Sequence, residues 1–185
     1  MKANGPSETQ RSYRGFLNGE PYRIYRSFLS ELDHRAFMYG LPWITAWRPC
    51  PKWLGDFDHR VYGEAPAALK GTLGEGHRRL YRKLATLVRG QCFNTAFVQR
   101  YQKGCHVKPH RDPKDYRGFT VIGVFGAFEG AETVIGKDRF KLHSCDVLVQ
   151  RCNHEGMPRP LHRVTPVTKG TRYTMILNTI KRNLD

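Results

Sequence analysis

The chain has 185 residues, 39% apolar and 12% aromatic, enough for one domain with a packed interior and too much for a wholly disordered polymer. No run approaches the roughly 18 apolar residues of a spanning helix, and the opening MKANGPSETQRSYRG lacks the apolar core of a secretory signal, so no membrane partner and no secretion are expected. Lys and Arg total 31 against 16 acidic residues, a net charge of +15 that favours phosphate polyanions, chiefly nucleic acid.

The excess charge is not confined to a tail: 15 basic and 8 acidic residues precede position 91, and 16 and 8 follow it. Five cysteines (Cys50, Cys92, Cys105, Cys145, Cys152) without CxxC spacing predict neither a disulfide framework nor a zinc ribbon. They fit a reducing, intracellular setting, cytoplasmic or nucleoid/nuclear.

In chain order, residues 1–20 read as a flexible basic and polar arm. From Tyr22 to Tyr39 the apolar positions Ile24, Phe28, Leu32 and Phe37 recur at helical spacing, with Ser30 suited to an N-cap. Residues 40–64, rich in Trp, Pro and Gly, predict loops and short strands. A second helix is expected from Pro66 to Arg89, broken near Gly71, Gly74 and Gly76 and capped by Gly90. The texture then changes to short strands: Phe93–Tyr101, His106–Asp112, Phe119–Phe125, Glu132–Ile135, Arg139–Leu142, Asp146–Gln150, His162–Pro166 and Arg172–Ile180. The expected class is α+β: a helical and loop region over 21–92, then an antiparallel sandwich or barrel over 93–182 on which the helices pack.

The chemistry-bearing residues cluster in the β region. On a strand, positions i and i+2 share a face, so His110 and Asp112 converge while Arg111 points away. His162, from a distant strand, completes two histidines and one carboxylate, the set that holds non-haem Fe(II) with open positions. Arg172 and Thr174 share a face of the last strand, and a guanidinium beside a hydroxyl suits a carboxylate. Tyr101 offers a phenol to the same anion. Iron with a carboxylate clamp nearby is what 2-oxoglutarate requires.

The ordered set Phe93-Asn94, Tyr101, His110-Arg111-Asp112 with Asp115, FEGAE from Phe128, Asp146-Val147-Leu148, HRVTPV from His162 and Gly170-Thr-Arg172-Tyr-Thr resembles the core of Fe(II)/2-oxoglutarate dioxygenases. The resemblance covers about residues 90–180. It implies a double-stranded β-helix (jelly roll), Fe(II), 2-oxoglutarate and O2 as cosubstrates, and hydroxylation coupled to decarboxylation to succinate. The HRDxxD spelling and the short gap from His162 to Arg172 are most similar to the TET/J-binding-protein group, implying oxidation of the methyl of 5-methylcytosine or thymine in DNA. AlkB-type repair enzymes are second. They carry a further Arg six residues after the clamp arginine, where this chain has Asn178, and Asn two residues before the clamp tyrosine, where it has Gln99.

Asp115, Arg111, Asn94 and Tyr116 are candidates for supporting the metal or touching substrate, with Trp43, Trp47, Trp53 and Phe97 as further aromatics that an extruded base could meet. Each has a plainer reading: Asp115 as a solvated turn, Arg111 as a surface charge, the Trp residues as core. His154 is the rival to His162. Three functions stay open: the methylpyrimidine dioxygenase, a sister enzyme acting on alkylated bases, protein or a small molecule, and a non-catalytic basic jelly-roll module that binds nucleic acid.

Overall fold

A computed structural model describes residues 20–44, 47–62, 74–153 and 159–181, with the side chains of Trp43, Val61 and Tyr62 outside that description. In order the elements are β1 (Tyr22–Tyr25), α1 (Glu31–Gly40), a 3-10 turn (Leu41–Trp43), β2 (Arg48–Pro49), β3 (Gly55–Asp56), β4 (Asp58–Tyr62), α2 (Glu75–Ala85), β5 (Thr95–Tyr101), β6 (His106–His110) and β7 (Tyr116–Phe125). They continue with β8 (Phe128–Gly130), β9 (Thr133–Ile135), β10 (Asp138–Phe140), β11 (Val147–Arg151), β12 (His162–Val164), β13 (Val167–Gly170) and β14 (Arg172–Ile180).

The strands form a jelly roll. A seven-stranded sheet runs β1-β11-β7-β14-β5-β4-β2, a five-stranded sheet runs β10-β9-β12-β6-β3, and β13 pairs with β8. The paired strands are antiparallel, and most of the pairs join strands remote from one another in the chain. Period-two alternation sorts the large sheet into two faces. Ala96, Val98, Val121, Phe125, Val147, Val149, Met175 and Leu177 pack with the helices in one apolar core. The intervening positions on the same four strands, including Phe97, Gln99, Thr120, Gln150, Arg172 and Thr174, line a cavity on the other side.

Both helices lie over the apolar face. Ser30 caps α1 through a capping box: its Oγ accepts from the Asp33 amide at 3.2 Å, and Asp33 Oδ2 accepts from the Ser30 amide at 2.9 Å. Asp33, fully buried, also receives Lys83 Nζ of α2 at 2.5 Å, so one carboxylate caps one helix and ties it to the next. The helices touch closely at Gly76, where a Cβ would stand 2.6 Å from the Ala36 carbonyl oxygen. Phe37 is fully buried and stacks on Phe125 with ring centroids 3.8 Å apart, seating α1 on the sheet. No described helix is long and apolar enough to cross a membrane.

Several expected boundaries move. Residues 22–25 are a strand, not the first turns of a helix: β1 pairs with β11, and α1 begins only after the Ser30 cap. Leu32 is 58% exposed and so leaves the core face assigned to it. The second helix spans Glu75–Ala85 and ends on Thr86, whose Oγ donates to the Lys83 carbonyl at 2.7 Å. Gly90 caps nothing there and instead turns the chain at φ 82°. β6 ends at His110, so Asp112 sits on the following loop beside Pro113, which has no amide to continue the ladder. The expected arm over residues 1–19, the helical start over 66–73 and His154 lie outside the described residues.

Candidate metal and carboxylate site

The fold brings the three metal candidates together through strand pairing. β12 lies antiparallel beside β6 with His162 directly opposite His110, and their ring centroids are 4.2 Å apart. Asp112 curls back from the end of β6, so that Oδ1 lies 3.7 Å from His162 Nε2. One ligand atom from each of His110, Asp112 and His162 lies within 4.8 Å of the others. Two neutral imidazoles and one carboxylate is a donor set for a divalent first-row metal.

Backbone carbonyls stand beside the Nδ1 atoms of both histidines. His110 Nδ1 lies 2.9 Å from the Lys108 carbonyl, and His162 Nδ1 lies 3.2 Å from the Pro160 carbonyl. Donating Nδ1–H to those oxygens leaves each Nε2 lone pair for an ion. Burial first, and then the neighbouring His162, pull the His110 pKa below its ordinary value, which favours the neutral form that ligates.

The same cavity, about 250 Å³, is lined by the triad and by Arg172, Thr174, Tyr101 and Gln99, a size just below the usual range of ligand pockets (about 300–1,000 Å³). Arg172 is 2% exposed, between the rings of Tyr101 (5.2 Å) and Phe128 (5.9 Å). No carboxylate among the described residues pairs with it, and its Nε is buried without a hydrogen-bond partner. Burial lowers its pKa, yet a guanidinium stays charged. A buried cation with an unsatisfied donor fits a carboxylate supplied by a small ligand.

The residues expected beside Arg172 are present: the Tyr101 hydroxyl reaches the guanidinium, and both hydroxyls also meet Gln99. The Tyr101 hydroxyl donates to Gln99 Oε1, and Thr174 Oγ donates to the same oxygen at 3.0 Å. Gln99 is therefore the organiser of this corner. Burial drives the Tyr101 and Tyr116 pKa values far up, so both remain phenols.

The four supporting candidates separate. Tyr116 lines the cavity. Asn94 does not: its side chain brackets Ile180, donating to the carbonyl and accepting from the amide, both at 2.9 Å, a structural role. Asp115 is exposed in the turn before β7, where its carbonyl accepts from the Lys181 amide. Arg111 is exposed and donates to the Arg159 carbonyl. Of the aromatics, Phe97 and Trp53 line the cavity, Trp53 being 65% exposed, whereas Trp47 packs on the helix-side core under the Arg100 guanidinium, 4.7 Å away. The basic run on α2 is largely spoken for: Arg78 pairs with Glu75 at 2.8 Å, and Lys83 and Arg79 approach Asp33 at 2.5 and 3.7 Å.

Sequence reasoning passed over Gln99, Gln150 and Cys152. For Gln150 the available signal was a Gln directly after the apolar run Val147-Leu148-Val149, at the parity that faces away from the helices.

No protein-family model and no curated protein matches the sequence. Solved structures do. A viral collagen prolyl hydroxylase from Paramecium bursaria Chlorella virus-1, solved with 2-oxoglutarate, superposes with a TM-score of 0.68 at 18% identity, over 86% of this chain and 96% of that one. A Pseudomonas putida prolyl-4-hydroxylase gives 0.71 at 11% identity, over 94% and 100%. A 2OG-Fe(II) oxygenase family oxidoreductase from Burkholderia pseudomallei gives 0.64 at 16% identity, over 99% and 94%. The chain has the fold of the 2-oxoglutarate, Fe(II) oxygenases.

Proposed function

We propose that the chain is an Fe(II)- and 2-oxoglutarate-dependent oxygenase that hydroxylates a nucleic-acid base, first of all the methyl of 5-methylcytosine or thymine in DNA. The observation that carries the enzyme class is one cavity holding both the His110, Asp112, His162 cluster and the buried, unpaired Arg172. His110, Asp112 and His162 would hold the metal, and Arg172, with Thr174 and Tyr101 turning from Gln99, would hold the distal carboxylate of 2-oxoglutarate. When bound, Fe(II) supplies the oxidising chemistry: 2-oxoglutarate loses CO2 to give succinate, one oxygen atom of O2 entering succinate and the other the substrate C–H bond. The chain's own task is to orient the two small ligands and keep the cavity dry.

The substrate reading rests on basic residues close to the cavity lining. Lys52, Lys108, Arg111, Lys114 and Arg117 are chain neighbours of lining residues, and Arg159 donates to the carbonyl of one, Asp112. Lys108, Arg111, Arg117 and Arg159 donate to backbone carbonyls, not carboxylates, so their charge is not cancelled locally. Such charges suit phosphates, and a base must leave the stack to reach a buried metal. Exposed Trp53 and half-buried Tyr116 and Phe97 supply faces for it. A prolyl peptide is the second reading, favoured by the prolyl hydroxylases among the structural neighbours.

The test is mass spectrometry of DNA nucleosides and of a proline-rich peptide, each incubated separately with the protein, Fe(II), 2-oxoglutarate and ascorbate. A gain of one oxygen on a methylpyrimidine, absent in His110→Ala, is the expected result. Oxygen on proline alone moves the assignment to the peptide. A wild-type protein that releases no succinate with any substrate overturns the enzyme reading in favour of a nucleic-acid-binding module.

A further inference from the structure

β11 and the residue that follows it place two polar side chains that the chemistry above does not use. Gln150, on the side of β11 that faces the cavity, and Cys152, one residue past the end of that strand, are each 1% exposed. Both meet the same atom. Gln150 Nε2 lies 3.2 Å and Cys152 Sγ 3.3 Å from Asp112 Oδ2. The other carboxylate oxygen, Oδ1, is the one that faces His162 Nε2, at 3.7 Å.

Gln150 Nε2 is also 3.1 Å from Nδ1 and 3.4 Å from Nε2 of His162. A group that near to both ring nitrogens is in line with neither lone pair, so the directed hydrogen bond is the one to Asp112. Cys152 is held in turn: Thr120 Oγ lies 2.6 Å from its sulfur and 2.6 Å from Asn178 Oδ1. A polar chain thus runs from β14 through β7 to the carboxylate.

We infer that Gln150 and Cys152 are positioning residues that occupy Asp112 Oδ2 with hydrogen-bond donors and leave Oδ1 as the oxygen that faces a metal ion. A carboxylate locked in this way gives one oxygen instead of swinging to give two, and the open positions that the chemistry needs are kept. The inference rests on the iron reading, so its test uses metal binding and not turnover alone.

Mn(II) affinity is measured by calorimetry and the Co(II) absorption spectrum is recorded for the wild type, Gln150→Leu, Cys152→Ala and Cys152→Ser, with thermal melting of each metal-free protein as the control for folding. Gln150→Leu and Cys152→Ala are each expected to weaken Mn(II) binding about ten- to a hundredfold and to change the Co(II) bands, while Cys152→Ser, which keeps a donor, restores both. Variants that bind Mn(II) and colour with Co(II) like the wild type overturn the inference. If Gln150→Leu does not fold, the cysteine pair decides: an alanine variant equal to the serine variant in affinity and spectrum overturns it. A wild type that binds neither ion overturns the iron reading itself, a separate and recognisable outcome.

Discussion

A guanidinium taken out of water with no carboxylate beside it costs several kcal/mol, and the fold carries that cost at Arg172. Removing the charge should therefore help the empty protein and ruin the liganded one. Arg172→Met is expected to melt at or above the wild-type temperature without ligand, yet to bind 2-oxoglutarate in the presence of Mn(II) at least about thirtyfold more weakly, as truncating one partner of a buried charge pair does. Calorimetry beside thermal melting checks both halves; a variant that loses stability and keeps affinity would remove Arg172 from the ligand site. This residue, with His110, Asp112 and His162, was legible in the sequence because the chemistry demands those residue types in that order. Gln99 was not, because an amide on a strand is compatible with many roles until its neighbours, here the Tyr101 and Thr174 hydroxyls, are known.

Among the elements, the α1–α2 pair hangs on Asp33. Burial would raise the pKa of this carboxyl, but hydrogen bonds from Lys83 and Ser30 outweigh it and hold the group below its usual range. A depressed folded-state pKa contributes stability above the unfolded value near 4 and loses it as pH falls through the folded value. Asp146, held by the His143 and Ser27 amides and by Arg26, acts in the same direction. Asp33→Asn is expected to cost about 1–3 kcal/mol at pH 7 and to flatten the loss of stability below about pH 4, read as urea midpoints against pH. The capped start of α1 was visible in Ser30, though its partner Asp33 was not. β1 was not, since Ile24 and Phe28 suit a helix face as well as a strand, and the β11 partner that decides the matter is remote in sequence.

At the scale of the whole molecule, a net +15 is distributed over a body whose α2 charges are paired while those beside cavity-lining residues are bonded to carbonyls. On the proposed nucleic-acid reading, binding is expected to fall steeply with salt and to depend more on the charges beside the cavity than on those of α2. Arg111→Ala is expected to reduce the slope of log K against log salt on duplex DNA by about 0.9, whereas Arg82→Ala leaves it unchanged. Equal effects from the two would disperse the binding surface over the molecule. Strand count and turn residues led to an antiparallel sandwich or barrel, and the family resemblance made it a jelly roll, but the sheet order followed from neither. It depends on which edges are covered: β1 joins the large sheet from a stretch that reads as helix, and β2 and β4 join it from one whose prolines and tryptophans read as loops and short strands.

β14 has one further consequence. Tyr173, Met175 and Leu177 belong to the core beneath the helices, while Arg172, Thr174, Ile176 and Asn178 belong to the cavity, so neighbouring positions answer to different masters. Inheritable change along this strand comes in two interleaved alphabets: one set of letters decides whether the chain survives, the other what it recognises. A lineage can rewrite the second set almost freely of the first, which is how a single scaffold passes from one substrate to another without first becoming unstable.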